Sequence, residues 1–198
     1  MFNFYLLSSI LLISLIFFFL GNNRAKKLVI LNKKNLHSLT HYYGVYSLLA
    51  SLLPTLGLFF IFTICDDLLF AELIKKYIPE EVVTSKDYNF TIVLAQINNS
   101  VEGLIFGTPP QWVTNAAEIW VSWVHKSQII TVISCISTAL ISGFFGYKKI
   151  NSDFRSRNAV EKIVMSILAV SSVIAILTTI AIIFSVVFES VRFFALIP

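Results

Sequence analysis

Charged side chains are scarce in this chain. Only 13% of its 198 residues are Asp, Glu, Lys or Arg, about half of the ~25% that is usual in a soluble domain. Hydrophobic residues make up 57% of the sequence. Because so few charged groups cannot keep such an apolar chain in water, the composition excludes a soluble globular protein and an intrinsically disordered one. The sequence is typical of an integral membrane protein.

Cysteine and clusters of metal-ligating residues are also scarce. The two cysteines, Cys65 and Cys135, lie in separate apolar stretches, so neither a disulfide framework nor a zinc-ligand spacing is present. His37 and His41 are four residues apart, but two ligands do not complete a zinc site and no carboxylate or cysteine is near them in the sequence. We therefore predict no catalytic, cofactor-binding or metal-binding residue, no cofactor and no enzymatic activity. Substrate-binding residues stay unassigned.

Uncharged runs long enough to cross a bilayer occur four times. A bilayer core about 30 Å thick needs about 20 apolar residues in a helix, and lipid cannot satisfy the backbone of any open structure. The four runs are residues 2–20, 45–65, 128–147 and 165–188. None of them contains Asp, Glu, Lys, Arg or His. Intramembrane proteases and proton-coupled carriers need such groups inside the membrane, so both classes are disfavoured.

The first run could alternatively be a cleaved signal peptide. Its beginning, however, lacks Lys and Arg, the apolar run is longer than usual for a signal peptide, and no Ala-x-Ala cleavage site follows. We therefore expect a retained helix.

The Lys and Arg distribution predicts the orientation of these helices. Residues 21–44 contain five basic residues and no acid, and residues 148–164 contain five basic residues and two acids. Residues 66–127 contain four lysines and eight acids, a balance of 4 − 8 = −4. Because basic loops stay on the cytoplasmic side, we expect the two basic segments there. Residues 66–127 and both termini then face the outer side of the membrane. Clustering of the basic residues between apolar runs explains the net charge of +4 without a nucleic-acid partner.

The outward segment, residues 66–127, is predicted to be mainly helical, without a β-sheet. Residues 67–78 are expected to form a helix that starts with an acidic first turn and ends at Pro79. A second helix is expected over residues 90–106, followed by a break at residues 107–110. A third, amphipathic helix is expected to lie at the outer membrane surface and to continue into the third span. Its apolar face comprises Val113, Ala116, Ala117, Trp120 and Val124.

Three smaller features concern helix packing and ion binding. Ala139 and Gly143 have the small-xxx-small spacing that lets membrane helices approach closely. Pro54 is expected to kink the second span. Asp66 and Asp67 could bind a cation, although we prefer to interpret them as a solvated helix start.

Two stretches resemble a known family. The first is Leu36-His-Ser-Leu-Thr-His-Tyr-Tyr-Gly-Val-Tyr-Ser-Leu-Leu-Ala-Ser-Leu-Leu-Pro54. The second is Phe154-Arg-Ser-Arg-Asn-Ala-Val-Glu-Lys162, followed by Ile174-Ala-Ile-Leu-Thr-Thr-Ile180 and Phe188-Glu-Ser-Val-Arg-Phe-Phe194. Together they resemble the N-terminal region of the bacterial phosphate ABC transporter permease, the PstC subunit, in its form with a long N-terminus. The chain departs from that pattern at Thr40, where Pro is usual, and at Ala50, where Trp is usual.

The resemblance implies a component of a phosphate importer in the bacterial inner membrane. Its partners in the family are a second permease subunit, a cytoplasmic ATPase subunit and a periplasmic phosphate-binding protein, in addition to the lipid bilayer. Residues 1–147 would form an N-terminal membrane region, residues 148–164 a cytoplasmic basic linker, and residues 165–198 the first helix of the permease core. Because the sequence lacks the remaining core helices, we expect it not to transport phosphate alone. The alternative is a non-transport membrane protein, a sensor or assembly factor, that binds a partner through its outward segment.

Overall fold

The chain folds into helices. A computed structural model describes residues 2–32, 38–84, 89–104 and 108–196, and these residues contain no strand. The elements are α1 (Phe2–Asn32), α2 (Thr40–Ile74), a short 3-10 helix (Lys75–Tyr77), α3 (Glu80–Val83), α4 (Phe90–Val101), α5 (Gln111–Lys148) and α6 (Ser156–Leu196). The predicted all-α class is therefore confirmed, and so is the mainly helical character of the segment between the second and third spans.

Four of these helices, α1, α2, α5 and α6, are long and apolar enough to cross a membrane. Their most apolar windows have mean hydropathies of 2.4, 2.2, 2.0 and 2.7 respectively. Each of the four uncharged runs in the sequence lies inside one of these helices. The chain is therefore a multi-pass membrane protein with four candidate spans, as predicted.

The predicted helix start at Asp67 is wrong. α2 continues without a break from Thr40 to Ile74, so Asp66 and Asp67 lie in its interior. The residues that follow them, Leu68–Ile74, include neither Pro nor Gly and so do not interrupt the helix. The Asp66 carboxylate accepts a hydrogen bond from Ser127 Oγ on α5, so it is bound to a neighbouring helix. Pro79 does separate two helices, as predicted, and lies at the N-cap of α3.

We call residues 66–84, 89–104 and 108–127 the helical lobe. Within it, α4 ends earlier than predicted, at Val101, because Gly103 adopts a φ of 75°. The Leu104 N–H donates to Asn99 O at 2.8 Å and the Gly103 N–H donates to Ser100 O at 3.3 Å. These two bonds close a left-handed glycine C-cap that stops the helix. Residues 105 and 106, the end of the predicted helix, lie outside the described residues.

The lobe has its own hydrophobic core. Ile74 and Ile78 from the end of α2 and the turn after it pack with residues of α4 and α5. The other buried members are Val93, Ile97, Val113, Ala116 and Ala117. The apolar face predicted for the first part of α5 therefore packs inside the lobe and not on a membrane surface. Its predicted continuity with the third span is confirmed, because α5 runs unbroken from Gln111 to Lys148.

The chain divides into two compact units. The first comprises Met1–Phe17 and Leu48–Tyr147 and contains the lobe. It also contains a membrane-helix cluster formed by Leu6, Ile10, Phe59 and Cys135. The second comprises Phe18–Ser47 and Lys148–Pro198, with a small cluster of Ala25, Tyr43 and Ile150. In α6, every residue from 164 to 195 is exposed.

Candidate functional site

The first candidate for a functional site is a cluster of metal-ligating side chains. The described part of the chain contains no group of three or more His, Cys, Asp or Glu side chains arranged to hold a metal ion. His41 makes an edge contact with the Phe18 ring, with ring centroids 5.2 Å apart, and His37 lies outside the described residues. The functional candidates are therefore the helix contacts and the charged ends of the helices.

Buried serines connect three membrane helices in the first unit. Ser14 on α1 is 1% exposed and Ser51 on α2 is 0% exposed. Ser51 Oγ donates to the Ala139 carbonyl on α5 at 3.0 Å, while Ser14 Oγ donates to Ile10 O at 2.9 Å and lies 3.5 Å from Ser51 Oγ. Because lipid offers no competing partner, hydroxyl-to-carbonyl bonds of this kind hold membrane helices together. The Ser51 bond joins α2 to α5, and the contact between Ser14 and Ser51 places α1 beside α2.

Gly143 allows a close approach one turn from that contact. A Cβ atom at Gly143 would lie 2.4–2.7 Å from three atoms of the Phe17 ring. Ala139 and Gly143 are both buried on α5. The predicted packing role of this small-xxx-small pair is therefore confirmed. We call Ser14, Phe17, Ser51, Ala139 and Gly143 the helix seam.

Pro54 does not interrupt α2, which is continuous through it. The next residue, Thr55, is fully buried, and its Oγ1 donates to the Ser51 carbonyl at 2.7 Å. Ser51 therefore donates a hydrogen bond to Ala139 through its hydroxyl and accepts one from Thr55 through its carbonyl.

The sequence pattern did not single out Ser14 or Ser51. The sequence does show serines among large apolar residues in the first two spans, which is typical of positions where membrane helices contact each other. That signal does not tell which serines meet, because the contact depends on the relative register of two helices. The sequence could therefore have named candidate serines, but not the two serines that contact each other.

Basic residues gather in the second unit, in a region that we call the basic junction: residues 21–30, 38–47 and 148–163. Tyr43 Oη donates to the Phe154 carbonyl at 2.8 Å, and the Phe154 ring lies 4.7 Å from the Tyr46 ring. The Arg157 backbone N–H donates to Ser38 Oγ at 3.3 Å, which satisfies one free donor in the first turn of α6. These contacts connect the two stretches whose sequence resembles the permease.

Electrostatics at the junction are dominated by positive charge. Its described residues include Arg24, Lys26, Lys27, Lys148, Lys149, Arg155, Arg157 and Lys162. Two acids lie there, Asp153 and Glu161, and Glu161 accepts a hydrogen bond from Arg157 Nε at 2.7 Å. An open cavity of about 400 Å³ is lined there by Ser38, Arg155, Arg157, Asn158 and Glu161. Exposed positive groups at the ends of apolar helices suit a membrane surface or a protein partner.

Comparison with known proteins identifies the family. A family model described as "Phosphate ATP-binding cassette transporter" matches residues 7–178, which includes the helical lobe, where the sequence showed no recognisable motif. Neither the curated proteins nor the solved structures contain a match to this chain. The matched range includes the permease-like stretches 36–54 and 154–162, while the stretch 188–194 lies beyond it. The chain belongs to the phosphate ATP-binding cassette transporter family.

Proposed function

We propose that this chain is a non-enzymatic component of a phosphate ABC importer, corresponding to the N-terminal part of its membrane permease subunit. The observation that carries the proposal is the family match over residues 7–178, together with four apolar helices long enough to cross a membrane. The PstC-like stretches around Tyr43 and Phe154 add support, since those two residues are joined by a hydrogen bond. Partners are then a second permease subunit, an ATPase and a phosphate-binding protein.

The exposure of α6 supports its assignment to the permease core. None of its most apolar window is buried, although this window has the highest mean hydropathy of the four helices, 2.7. A helix that is apolar all round belongs inside a larger helical assembly or in lipid. We assign residues 1–147 to an N-terminal membrane region, residues 148–164 to a linker and residues 165–198 to the first core helix.

The helix seam supports the view that this chain alone does not move phosphate. The hydroxyls of Ser14, Ser51 and Thr55 each donate to a backbone carbonyl. Each therefore uses its proton within the protein and cannot donate it to a passing anion. The four uncharged runs contain no Lys, Arg or His, so carrying a phosphate anion through them requires a large desolvation free energy. Transport then depends on helices that other parts of the importer supply.

In this proposal, the distribution of Lys and Arg determines how the chain is oriented in the membrane. The basic junction is cytoplasmic, where an ATPase would bind, and the helical lobe is periplasmic, as are both ends of the chain.

Single cysteines at Thr84 and Ser152, in a background lacking Cys65 and Cys135, test this orientation in intact inverted and right-side-out vesicles. The Thr84→Cys variant should react with a membrane-impermeant maleimide only from the periplasmic side. The Ser152→Cys variant should react only from the cytoplasmic side, and the reverse pattern contradicts the orientation.

Phosphate uptake tests the function itself. Deleting the gene in the source cell should abolish high-affinity uptake of labelled phosphate under phosphate limitation, and the wild-type chain supplied in trans should restore it. The purified chain alone in vesicles should accumulate no phosphate, with or without ATP and a binding protein. Unchanged uptake in the deletion strain would contradict a role in import. Saturable uptake by the chain alone would contradict its role as one part of an importer.

The independent core of the helical lobe favours a second candidate function. Because the lobe buries its own apolar residues, its surface can bind a partner in a sensor or assembly factor. Normal phosphate uptake in the deletion strain, together with loss of another membrane process, would support this alternative.

A further inference from the structure

A small cavity lies at the end of the membrane helices in the first unit, beside the lobe. It has a volume of about 180 Å³, and its lining includes Asn3, Asp66, Asp67, Phe70, Trp120 and Thr131. Asp66 follows directly after the second uncharged run, and Asn3 lies in the first turn of α1. The cavity is therefore at the depth where an apolar span gives way to polar sequence, which is the depth of lipid headgroups.

Thr131 gives this cavity a polar group without a partner. It is 5% exposed, yet its hydroxyl makes no hydrogen bond within the part of the chain that the structure describes. Two hydroxyls elsewhere on α5, those of Thr114 and Ser122, each donate to a carbonyl of their own helix. A hydroxyl on a largely buried residue that lines a cavity and has no protein partner is free to hydrogen-bond to a molecule in that cavity.

The carboxylates of the cavity have unused acceptor capacity. Asp66 accepts one hydrogen bond, from Ser127 Oγ, and Asp67 accepts none from the described residues. An ionised carboxylate offers about four lone-pair positions. Two neighbouring carboxylates therefore leave several acceptors and a net negative charge, and the surrounding segment 66–127 adds to it with a balance of 4 − 8 = −4. The cavity is suited to a cation.

Aromatic rings distinguish an organic ammonium group from a metal ion. The rings of Phe70 and Trp120 lie 5.8 Å apart at an interplanar angle of 72°, and both line the cavity. Aromatic faces attract ammonium groups, whereas metal sites are built from several His, Cys, Asp or Glu ligands. No group of three or more such residues is arranged for a metal in the described ranges. Carboxylates, a free hydroxyl and rings together match the three N–H donors of a primary ammonium group.

An apolar cleft adjoins this cavity and shares Phe2 and Gln128 with it. The cleft has a volume of about 250 Å³, and the residues that complete its lining are His125, Ile129, Val132 and Ile133. Ile129 and Ile133 are half exposed or more, on a helix that enters the third span. The polar cavity and the apolar cleft are therefore neighbours, as an ammonium headgroup and an acyl chain are neighbours in one lipid. His125 can donate an N–H to the phosphodiester between them.

We propose that the acidic cavity and the adjoining cleft bind one phospholipid with a primary ammonium headgroup, such as phosphatidylethanolamine. The ammonium group lies between Asp66, Asp67 and Thr131, against the Trp120 ring. The acyl chain lies along Ile129 and Ile133. A bound lipid at this position fixes the ends of α1, α2 and α5 relative to the lobe.

Native mass spectrometry of the purified full chain tests this directly. The protein is delipidated in detergent and offered equal amounts of phosphatidylethanolamine and phosphatidylglycerol, and free ethanolamine is offered separately. We expect one phosphatidylethanolamine to be retained with about tenfold preference over phosphatidylglycerol. Free ethanolamine, in large excess, should displace little of it, because it lacks the acyl chain.

Matched variants localise the binding. Asp66→Asn with Asp67→Asn should lower the retention of phosphatidylethanolamine about tenfold, since the amides keep the shape but remove the charge. Glu102→Gln removes a carboxylate from the exposed end of α4, outside both cavities, and should leave retention unchanged. Ile133→Trp should fill the cleft and lower retention of the lipid. Thermal unfolding in detergent shows whether each variant remains folded.

Three results would overturn the proposal. Equal retention of the two lipids by the wild-type chain would show that the headgroup is not recognised, and this result needs no variant. Unchanged retention in the folded double variant would place the lipid elsewhere. Displacement by ethanolamine at the same concentration as the lipid would identify a site for free amines, without a role for the cleft.

Discussion

The membrane helices of the first unit and helix α6 are all apolar enough to cross a bilayer, but they differ in their contacts. In the first unit, Ser51 donates a hydrogen bond to the carbonyl of another helix, and Gly143 lets the Phe17 ring approach the α5 backbone. In the apolar part of α6, the hydroxyls of Ser166, Thr178, Thr179 and Ser190 bond within the helix. Thr178 and Thr179 donate to Ala175 O at 2.8 and 2.9 Å, and Ser190 donates to Val186 O at 2.8 Å.

This difference shows that mean hydropathy predicts which helices can insert into a membrane, but not which helices pack closely against one another. Within a bilayer, lipid tails are as apolar as Leu, so burial of apolar side chains between helices gains little from the hydrophobic effect. Close packing and interhelical hydrogen bonds provide the stabilisation instead. The seam has both, whereas residues 164–195 of α6 are all exposed and the hydrogen bonds of their side chains stay within the helix. Matched substitutions in the two regions should therefore differ in effect, although they change the same residue type.

Phenylalanine substitutions should show the largest difference. Phe59, in the cluster with Leu6, Ile10 and Cys135, is 6% exposed, while Phe184 on α6 is 70% exposed. Phe59→Ala should leave a cavity and lower the free energy of unfolding by about 2 kcal/mol or more. Phe184→Ala should change it by about 0.5 kcal/mol or less. Thermal unfolding of the isolated chain in detergent measures both, and equal losses would contradict the comparison.

Glycine substitutions should show the next largest difference. At Gly143 an added Cβ meets the Phe17 ring at 2.4 Å, whereas at Gly57 on α2 it meets no described atom within 4 Å. Gly143→Ala should therefore lower the free energy of unfolding by about 1–2 kcal/mol through overpacking. Gly57→Ala should raise it slightly, because Ala favours a helix more than Gly by about 1 kcal/mol.

A double variant identifies the cause of the Gly143 effect. Adding Phe17→Leu to Gly143→Ala should recover part of the lost stability, because the smaller side chain frees space for the methyl group. If the double variant loses the sum of the two single losses, the Phe17 contact does not explain the effect.

Serine substitutions should show the smallest difference. Ser51→Ala removes the hydrogen bond to the Ala139 carbonyl and should lower the free energy of unfolding by about 0.6–1 kcal/mol. Ser190→Ala removes a bond within α6 and should have an effect near zero, because the Val186 carbonyl keeps its place in the helix. Equal effects of the two substitutions on thermal unfolding would indicate that the Ser51 bond between helices adds no stability.

The positions of the spans could be predicted because they depend on local composition. Each uncharged run lies inside one long helix, and the continuity of α5 followed from the apolar spacing of Val113, Ala116 and Ala117 before Gln128. The small-xxx-small spacing at Ala139 and Gly143 also predicted a packing face. These are properties of one helix and can be read from one stretch of sequence.

Contacts between stretches distant in sequence could not be predicted in the same way. Asp66 looked like the start of a solvated helix, because Ser127, its partner, is 61 residues away. The Ser51 bond to Ala139 spans 88 residues and the Tyr43 bond to Phe154 spans 111. Each depends on how elements distant in the sequence pack against one another, which one sequence does not specify. The cavity between Asp66 and Thr131 stayed hidden for the same reason.

Photo-crosslinking from α6 in living cells tests the central claim most directly, namely that this chain is part of a phosphate importer whose other helices cover α6. A photoreactive amino acid replaces Leu177, which is 59% exposed, and a second variant carries it at Cys135, which is fully buried. The account predicts that Leu177 crosslinks to a permease helix of the phosphate importer, identified by mass spectrometry, and that Cys135 crosslinks only within the chain. Lipid adducts alone at Leu177, in cells expressing the whole importer, would contradict it.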